Sequence, residues 1–264
     1  METKTLTKIE DSKYFWSKVY PIAYYEVDFK QVLKPSALLN LMQDAATINA
    51  ELFGFGYSFT YPRNYGWFLV KYHMEFDDYP QELKEIMIKT EARGYSKIIA
   101  NRDFEIWTSD NKKRLGRASS NWMLVNLETK RPVSLSKEID FMPAYEKRET
   151  DMEFEKITPI EKVDYEKTFE IRYDDIDVNS HVNNANYVIW AFEALPFEFK
   201  AQHRLKTLDI AYKKEIAFGH NIVSQVQLDE ENETSTHILK NAATGEELCL
   251  INAIWQQRQE TFQQ

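Results

Sequence analysis

Two copies of one pattern, 149 residues apart (177 minus 28), constrain the fold of this chain more than any other sequence feature. In this register Asp28 aligns with Asp177. Further pairs align without a gap: Tyr24 with Tyr173, Val27 with Ile176, Leu33 with Val182, Leu38 with Tyr187, Leu41 with Trp190, Met42 with Ala191 and Ala45 with Ala194. The last four pairs follow the i, i+3, i+4, i+7 spacing of a helix that buries one face. The sequence therefore predicts two helices of the same kind.

The segments around these helices predict β-strands, because they are rich in β-branched and aromatic residues. A strand-like segment precedes each helix. Strands are predicted after it at residues 67–76, 85–92, 98–107 and 118–125 in the first copy, and at 207–216, 222–228, 234–239 and 248–255 in the second. A second register, at an offset of 140 (215 minus 75), aligns Glu75 with Glu215. The pattern predicts an α+β fold in which each copy is an antiparallel β-sheet wrapped around a long central α-helix.

The stretch between the copies differs in composition. Residues 133–166 contain many charges, Pro143 and Pro159, and they show weak periodicity, which is typical of a linker. We therefore predict an N-terminal domain at residues 1–132, a linker at 133–166 and a C-terminal domain at 167–264.

The overall charge and hydropathy argue against several classes of partner. The net charge of −9 disfavours nucleic acid, which requires clustered Lys and Arg. The chain has no apolar run long enough for a membrane span. A single cysteine, Cys249, and the polar start at residues 1–5 favour the cytoplasm.

The sequence predicts no cofactor and no metal site. It has no pair of cysteines and no His-x-x-x-His spacing for zinc. Its seven glycines form neither a dinucleotide-binding motif nor a Walker loop.

A polar cluster distinguishes the second copy from the first. Residues 177–184 read Asp-Val-Asn-Ser-His-Val-Asn-Asn, which is more hydrogen-bonding capacity than the cap of the following helix requires. The first copy has Lys30 and Val32 where the second has Asn179 and His181. We infer that the second copy carries the chemistry and that the first contributes walls.

These residues resemble the fatty acyl-acyl carrier protein thioesterases, whose members carry Asp-Val-Asn-x-His-Val-Asn-Asn before an aromatic-rich helix. Residues 212–215, Tyr-Lys-Lys-Glu, resemble the family's Tyr-Arg-Arg-Glu strand. Residues 38–46 and 117–123 are similar to its first helix and to its strand with a Ser/Thr-x-Trp segment. The resemblance implies a tandem (double) hotdog fold, and hydrolysis of the thioester between a fatty acyl chain and the phosphopantetheine of acyl carrier protein.

By this resemblance Asp177, Asn179, His181 and Glu215 form the catalytic set. Taken singly, each of them is more typical of a turn, a structural histidine or a surface ion pair, and only the match to the family's spacing favours catalysis. Many plant members have a cysteine directly after the glutamate. Ile216 stands there in this chain, so the chemistry is expected to use oxygen and nitrogen groups.

Two mechanisms are compatible with this set. In the first, His181 and Glu215 position and deprotonate a water, Asn179 holds the substrate or the water, and Asp177 orients His181. Main-chain N–H groups at the start of the following helix then polarise the carbonyl. In the second mechanism, Asp177 is a nucleophile that forms a mixed anhydride.

Other functions and the oligomeric state also stay open. The same fold could serve an acyl-CoA thioesterase, or a protein that binds acyl chains without catalysis. Exposed sheet edges and the family resemblance favour a homodimer.

Overall fold

The computed structural model describes residues 8–79 and 84–258. The chain forms two compact units, Met1–Glu153 (unit 1) and Phe154–Gln264 (unit 2). The boundary between them falls within the segment that the sequence assigns to a linker, and the predicted domain limits stay a prediction. Residues 1–5, which support the prediction of a polar start without a signal core, lie outside the described residues.

Unit 1 contains an antiparallel sheet. Its strands are β1 (Phe15–Pro21), β2 (Tyr65–Phe76), β3 (Glu85–Ser96), β4 (Ile99–Thr108), β5 (Arg114–Asn126) and β6 (Arg131–Pro132). They lie in the order β1-β3-β4-β5-β2, and the short β6 pairs with β5. The strands predicted in the first copy are therefore confirmed, with ends that differ by a few residues.

One long helix, α1 (Pro35–Leu52), packs against β1 and β3 of this sheet. Pro35 occupies its first turn, where a missing N–H costs nothing. Leu38, Met42 and Ala45 are buried, as the spacing predicts, whereas Leu41 is half-buried. Short helices complete the unit: α2 (Tyr57–Thr60), α3 (Leu135–Glu138) and 3-10 turns at Ile9–Asp11, Tyr24–Glu26 and Tyr61–Arg63.

Unit 2 repeats this topology. Its strands are β7 (Tyr165–Glu170), β8 (His203–Tyr212), β9 (Asn221–Asp229), β10 (Thr234–Asn241) and β11 (Glu247–Gln257). The order β7-β9-β10-β11-β8 is that of unit 1 with each strand replaced by its counterpart, and the pairing is again antiparallel. The helices are α4 (Asn184–Glu193), α5 (Phe197–Gln202) and a 3-10 turn at Tyr173–Asp175.

The offset of 149 residues holds in three dimensions. Helix α1 begins at Pro35 and α4 begins at Asn184, 149 positions later (184 minus 35). Gln31 and Ser180 stand at the same offset, and both have a left-handed backbone, with φ of 59° and 63°. Two units of this kind form the α+β tandem hotdog fold that the sequence predicts.

The second helix is shorter than the first, with 10 residues against 18. Pro196 follows shortly after Glu193, and a proline disfavours helical conformation in the residue before it. The chain turns there and starts α5 at Phe197. Within the described residues, no helix combines the length and the apolar character that crossing a bilayer requires.

Strand β8 ends earlier than the sequence predicts, at Tyr212 instead of residue 216. The main-chain N–H groups of Lys213 and Lys214 both donate to the carbonyl of Leu248, at 2.8 and 3.2 Å, so the regular ladder stops there. The chain then leaves the sheet, and the carbonyl of Ile216 accepts from the N–H of Val182 at 3.1 Å. The prediction that Glu215 lies on a strand was therefore wrong.

Part of the predicted linker belongs to the structure of unit 1. Leu135, Ile139 and Met142 lie in its hydrophobic core. Residues 143–151, here called the strap, continue from them along β3. The N–H of Tyr95 donates to the carbonyl of Pro143 at 3.2 Å, and the N–H of Tyr145 donates back to the carbonyl of Tyr95 at 2.7 Å.

Ion pairs with the buried Glu91 and Arg93 of β3 hold the strap on the sheet. Arg148 makes a bidentate contact with the buried Glu91, at 2.8 and 2.7 Å. Asp151 accepts from Arg93 at 2.5 Å, and Arg93 also pairs with Asp103. Some charged residues of the predicted linker thus pair with buried residues of the sheet, and they do not only face solvent.

Candidate active site

The loop that enters α4 is organised around Asp177. Its Oδ1 accepts from the main-chain N–H groups of Asn179 and His181, at 2.8 and 3.4 Å. Its Oδ2 accepts from the side-chain amide of Asn179 at 3.2 Å. The main chain closes the same loop, because the N–H of Asp177 donates to the carbonyl of His181 at 2.8 Å. Asp177 therefore fixes the backbone on which Asn179 and His181 stand.

The corresponding loop of unit 1 has the same hydrogen bonds from main-chain N–H groups. Oδ1 of Asp28 accepts from the N–H groups of Lys30 and Val32, at 2.8 and 3.0 Å. The N–H of Asp28 donates to the carbonyl of Val32 at 2.8 Å. Since unit 1 has neither the asparagine nor the histidine at these positions, the aspartate has a structural role in both units.

The imidazole of His181 contacts a carboxylate that is distant in sequence. Its Nε2 lies 3.2 Å from Oε2 of Glu215, and the side chains are 28% and 42% exposed. Val182 follows His181 and Ile216 follows Glu215, and the main-chain N–H of Val182 donates to the carbonyl of Ile216. The departure of the chain from the sheet after Tyr212 thus brings Glu215 to His181. Both side chains stay partly exposed, but Nδ1 of His181 is buried, so a water molecule or a substrate has to approach the ring at Nε2, beside Glu215.

The N-terminus of α4 lies directly after His181 in the chain. Oδ1 of Asn183 caps the helix by accepting from the N–H of Ala185 at 2.9 Å. The N–H groups of Val182, Asn183 and Asn186 also donate to oxygens of unit 2. In the described part of the chain, the N–H of Asn184 is the donor of this turn that keeps no such acceptor. Several main-chain N–H groups at this helix start were expected to polarise the substrate carbonyl. The N–H of Asn184 is the one that is not already bonded.

Sequence reasoning missed two residues that anchor the loop. The buried carboxylate of Asp175 accepts from the N–H and the guanidinium of Arg172, at 2.8 and 2.6 Å. The carbonyl of Asp175 accepts from the N–H of Asn183 and the amide of Asn186, at 2.9 and 3.0 Å. The repeat contained the signal, because Glu26 stands 149 positions before Asp175 and caps its own turn through the N–H of Ala23, at 2.7 Å.

Tyr212 joins the end of β8 to the helix. Its hydroxyl donates to the carbonyl of Asn184 at 3.1 Å, and its ring packs edge-on against that of Tyr187 at 5.6 Å. Burial raises the pKa of Tyr187 well above its ordinary value. That hydroxyl therefore stays protonated at neutral pH.

Cys249 is the single cysteine of the chain and lies in β11. Its side chain is fully buried, and burial raises the pKa of its thiol. A buried thiol of this kind is a poor nucleophile, because the thiolate is the reactive form. Among the described residues, no group of three or more His, Cys, Asp or Glu side chains is placed to hold a metal ion.

In unit 1 the counterpart of Glu215 has a different set of neighbours. Oε2 of Glu75 accepts from Arg117 at 2.7 Å, and Oε1 lies 3.4 Å from Nε2 of His73. His73 is on the same strand and is buried, unlike His181. Val32, at the position of His181, is also buried. The exposed pair of a histidine and a glutamate thus belongs to unit 2.

Curated relatives of the chain are plant enzymes. An oleoyl-acyl carrier protein thioesterase of Coriandrum sativum is 24% identical over 237 residues, which cover 83% of this chain and 64% of the relative. A palmitoyl-acyl carrier protein thioesterase of Gossypium hirsutum is 24% identical over 245 residues, which cover 85% of this chain and 58% of the relative. The chain thus spans about three fifths of the length of these two relatives.

Solved structures share the fold over nearly the whole chain. An acyl-ACP thioesterase of Bacteroides thetaiotaomicron has a TM-score of 0.80 at 24% identity, covering 94% of this chain and 100% of that one. A 12:0-ACP thioesterase of Umbellularia californica has a TM-score of 0.78 at 21% identity, covering 94% and 99%. At these identities the likeness establishes the fold.

Models of protein families cover both units. The model of the acyl-ACP thioesterase N-terminal domain matches residues 13–141, and that of the C-terminal domain matches residues 157–257. The second match contains the loop at residues 177–184 and Glu215. The chain belongs to the acyl-ACP thioesterase family.

Proposed function

We propose that this chain hydrolyses the thioester of fatty acyl-acyl carrier protein and releases a free fatty acid and the carrier protein. The contact between His181 and Glu215, at the entrance to α4, carries the proposal. The contact lies within the match to the family's C-terminal domain. The names of the plant relatives, which specify oleoyl- and palmitoyl-acyl carrier protein, support a carrier-bound acyl chain as the substrate.

In the proposed reaction a water molecule attacks the carbonyl carbon of the thioester. His181 takes a proton from the water as the C–O bond forms, and Glu215 stabilises the resulting imidazolium. The tetrahedral intermediate then collapses and the C–S bond breaks. The departing phosphopantetheine sulfur takes the proton from His181, so that a fatty acid and a thiol are formed from one thioester and one water.

The oxyanion of the intermediate requires a hydrogen-bond donor. We assign this role to the main-chain N–H of Asn184, whose position at the start of α4 adds the positive end of the helix dipole. Asn179 is exposed and is held by Asp177 on both its main chain and its side chain. That arrangement supports the proposal that it holds the substrate or the water in place.

Asp177 is proposed to position His181 and not to attack the substrate. Both of its oxygens already accept hydrogen bonds within the loop, and Asp28 makes the same main-chain bonds where no chemistry is proposed. Single-turnover hydrolysis in ¹⁸O-labelled water tests the anhydride route. We expect the label in the fatty acid, and label in the carboxylate of Asp177 would establish the anhydride route instead.

Rates of thiol release from acyl carrier protein and CoA thioesters with the same acyl chain test the proposed function. We expect a higher kcat/KM with the carrier protein, and His181→Ala serves as the control for contaminating hydrolases. A preference for CoA would make the chain an acyl-CoA thioesterase. The absence of release from either substrate by folded protein would favour an acyl-binding role.

Three further proposals accompany this function. The N-terminal domain, taken as residues 1–132, provides walls for the acyl chain, while residues 167–264 carry catalysis and residues 133–166 connect them. A cytoplasmic location is supported by the single cysteine. A homodimer is supported by the family resemblance, and sedimentation analysis of the purified chain tests it.

A further inference from the structure

Tyr212 is the last residue of β8 and stands three positions before Glu215 (215 minus 212). Its side chain contacts the start of α4 in two ways. The hydroxyl donates to the carbonyl of Asn184 at 3.1 Å, and the ring meets that of Tyr187 edge-on, with centroids 5.6 Å apart. Tyr187 is buried and also packs edge-on against Trp190, at 5.9 Å. Tyr212 is therefore tied to a part of the helix that packing holds in place.

The segment that carries Glu215 is joined to the entrance of α4 at both ends. Tyr212 makes the join before Glu215, and the hydrogen bond from the N–H of Val182 to the carbonyl of Ile216, at 3.1 Å, makes the join after it. Glu215 itself lies beyond the end of β8, and its side chain is 42% exposed. The position of its carboxylate relative to His181 therefore depends on how firmly these two joins hold the segment.

The corresponding tyrosine of unit 1 has a different setting. Tyr72 aligns with Tyr212 at the offset of 140 (212 minus 72), but it lies within β2, which continues to Phe76. Its ring is buried and stacks on that of Phe104 in β4, at 5.9 Å. Glu75, the counterpart of Glu215, stays on the same strand. In unit 1 this tyrosine is thus part of the packed sheet.

The helix start also differs between the units at the positions that Tyr212 contacts. Helix α1 has Pro35 and Leu38 where α4 has Asn184 and Tyr187, at the offset of 149. Leucine has no ring, so the edge-on contact belongs to unit 2. The contacts of Tyr212 with the helix thus accompany the exposed histidine–glutamate pair, as expected if they serve the reaction and not the fold that both units share.

We propose that Tyr212 is a positioning residue, which holds the segment bearing Glu215 against the entrance to α4 and so keeps the carboxylate beside His181. The inference rests on the proposed function, because it takes the contact between His181 and Glu215 to be the one that activates water. A displacement of about 1 Å between reacting groups can lower a rate by about 100-fold, so a modest loosening of the segment should be visible in kcat.

Tyr212→Phe tests this role, because it removes the hydroxyl and keeps the ring. We expect kcat for an acyl carrier protein thioester to fall about 10- to 100-fold, with KM changed by less than about threefold, since the hydroxyl holds a reacting group and not the substrate. Tyr72→Phe is the matched control in unit 1, and it should have the kcat and KM of the unmodified chain. A kcat for Tyr212→Phe equal to that of the unmodified chain would overturn the proposal.

A second substitution distinguishes positioning of Glu215 from a general effect on the fold. In a chain that already carries Glu215→Ala, Tyr212→Phe should lower kcat by less than about twofold, because no carboxylate is left to position. An equal loss in both backgrounds would mean that Tyr212 acts on the fold or on another group, and that outcome contradicts the proposal.

Crystal structures of the unmodified chain and of Tyr212→Phe test the same role without catalysis. We expect the variant to keep the fold, with Nε2 of His181 and Oε2 of Glu215 further apart than in the unmodified chain. An unchanged distance would overturn the proposal even if activity fell. If the unmodified chain does not cleave acyl carrier protein thioesters, the proposed function fails, while this comparison still decides whether Tyr212 places Glu215.

Discussion

Nε2 of His181 and Oε2 of Glu215 lie 3.2 Å apart, although 34 positions separate the two residues in the chain (215 minus 181). Two features of the backbone create this contact. The Asp177 loop presents His181 at the entrance to α4, and the end of β8 at Tyr212 releases the segment that carries Glu215.

The roles proposed for Asp177 predict different outcomes for two substitutions. Asp177→Asn keeps an oxygen acceptor for the loop and weakens its hydrogen bonds by about 1 kcal/mol, so kcat/KM should fall by no more than about tenfold. Asp177→Ala removes the acceptor, and the loss should be larger. Steady-state hydrolysis of an acyl carrier protein thioester measures both effects.

Asp28 provides a matched control, because it holds the same loop in unit 1. Asp28→Ala should lower the free energy of unfolding by about 1–2 kcal/mol and leave kcat/KM unchanged. Loss of all activity in Asp177→Asn, in a protein as stable as the unmodified chain, would support the nucleophilic role that we disfavour.

The strap should contribute to the stability of unit 1. Arg148→Met leaves the buried carboxylate of Glu91 without its bidentate partner. Removal of one member of a buried pair costs about 3 kcal/mol or more, and urea denaturation measures it as a lower midpoint.

The neighbouring residue supplies the control for this substitution. Lys147 pairs with Glu153 in solvent, with side chains 67% and 78% exposed. Lys147→Met should leave the urea midpoint close to that of the unmodified chain, because an ion pair in solvent contributes little to stability. If both variants unfold at the same urea concentration as the unmodified chain, the strap is not part of the cooperative fold of unit 1.

His237 should make unit 2 less stable at acidic pH. Burial lowers the pKa of this imidazole from 6.5 to about 3. Between these values the unfolded chain binds a proton that the folded chain does not, so the free energy of unfolding falls as pH falls below about 6.5. At pH 5 the expected loss from this group is about 2 kcal/mol relative to pH 7.

His237→Gln tests this assignment, since its amide keeps a polar group near the hydroxyl of Ser235, which lies 2.8 Å from Nε2 of His237. Stability measured from pH 7 to pH 5 should fall less steeply in this variant. The exposed His220 gives the control His220→Asn, whose pH profile should match that of the unmodified chain. Parallel profiles for all three proteins would rule out His237 as the source.

The sequence predicted much of this fold because the information was local and repeated. The apolar spacing around Met42 and Ala191 located both helices, and segments rich in β-branched and aromatic residues located the strands. The comparison of Asp28 with Asp177 also predicted that the loop is a scaffold shared by both copies. The structure confirms the tandem hotdog fold, while the catalytic roles stay a prediction.

Other features depend on contacts that no local pattern encodes. The end of β8 at Tyr212 results from two N–H groups sharing the carbonyl of Leu248, which lies on another strand. No local pattern shows that Arg148 and Asp151 pair with buried residues of β3.

A double-mutant cycle on the pair of His181 and Glu215 tests the central claim most directly. It compares kcat/KM for an acyl carrier protein thioester in the unmodified chain, His181→Ala, Glu215→Gln and the double variant. Each single variant should lose about 10²- to 10⁴-fold, and the double variant should lose little more than the worse single variant, because the two groups act as one unit. Activity equal to that of the unmodified chain in either folded single variant would contradict the claim.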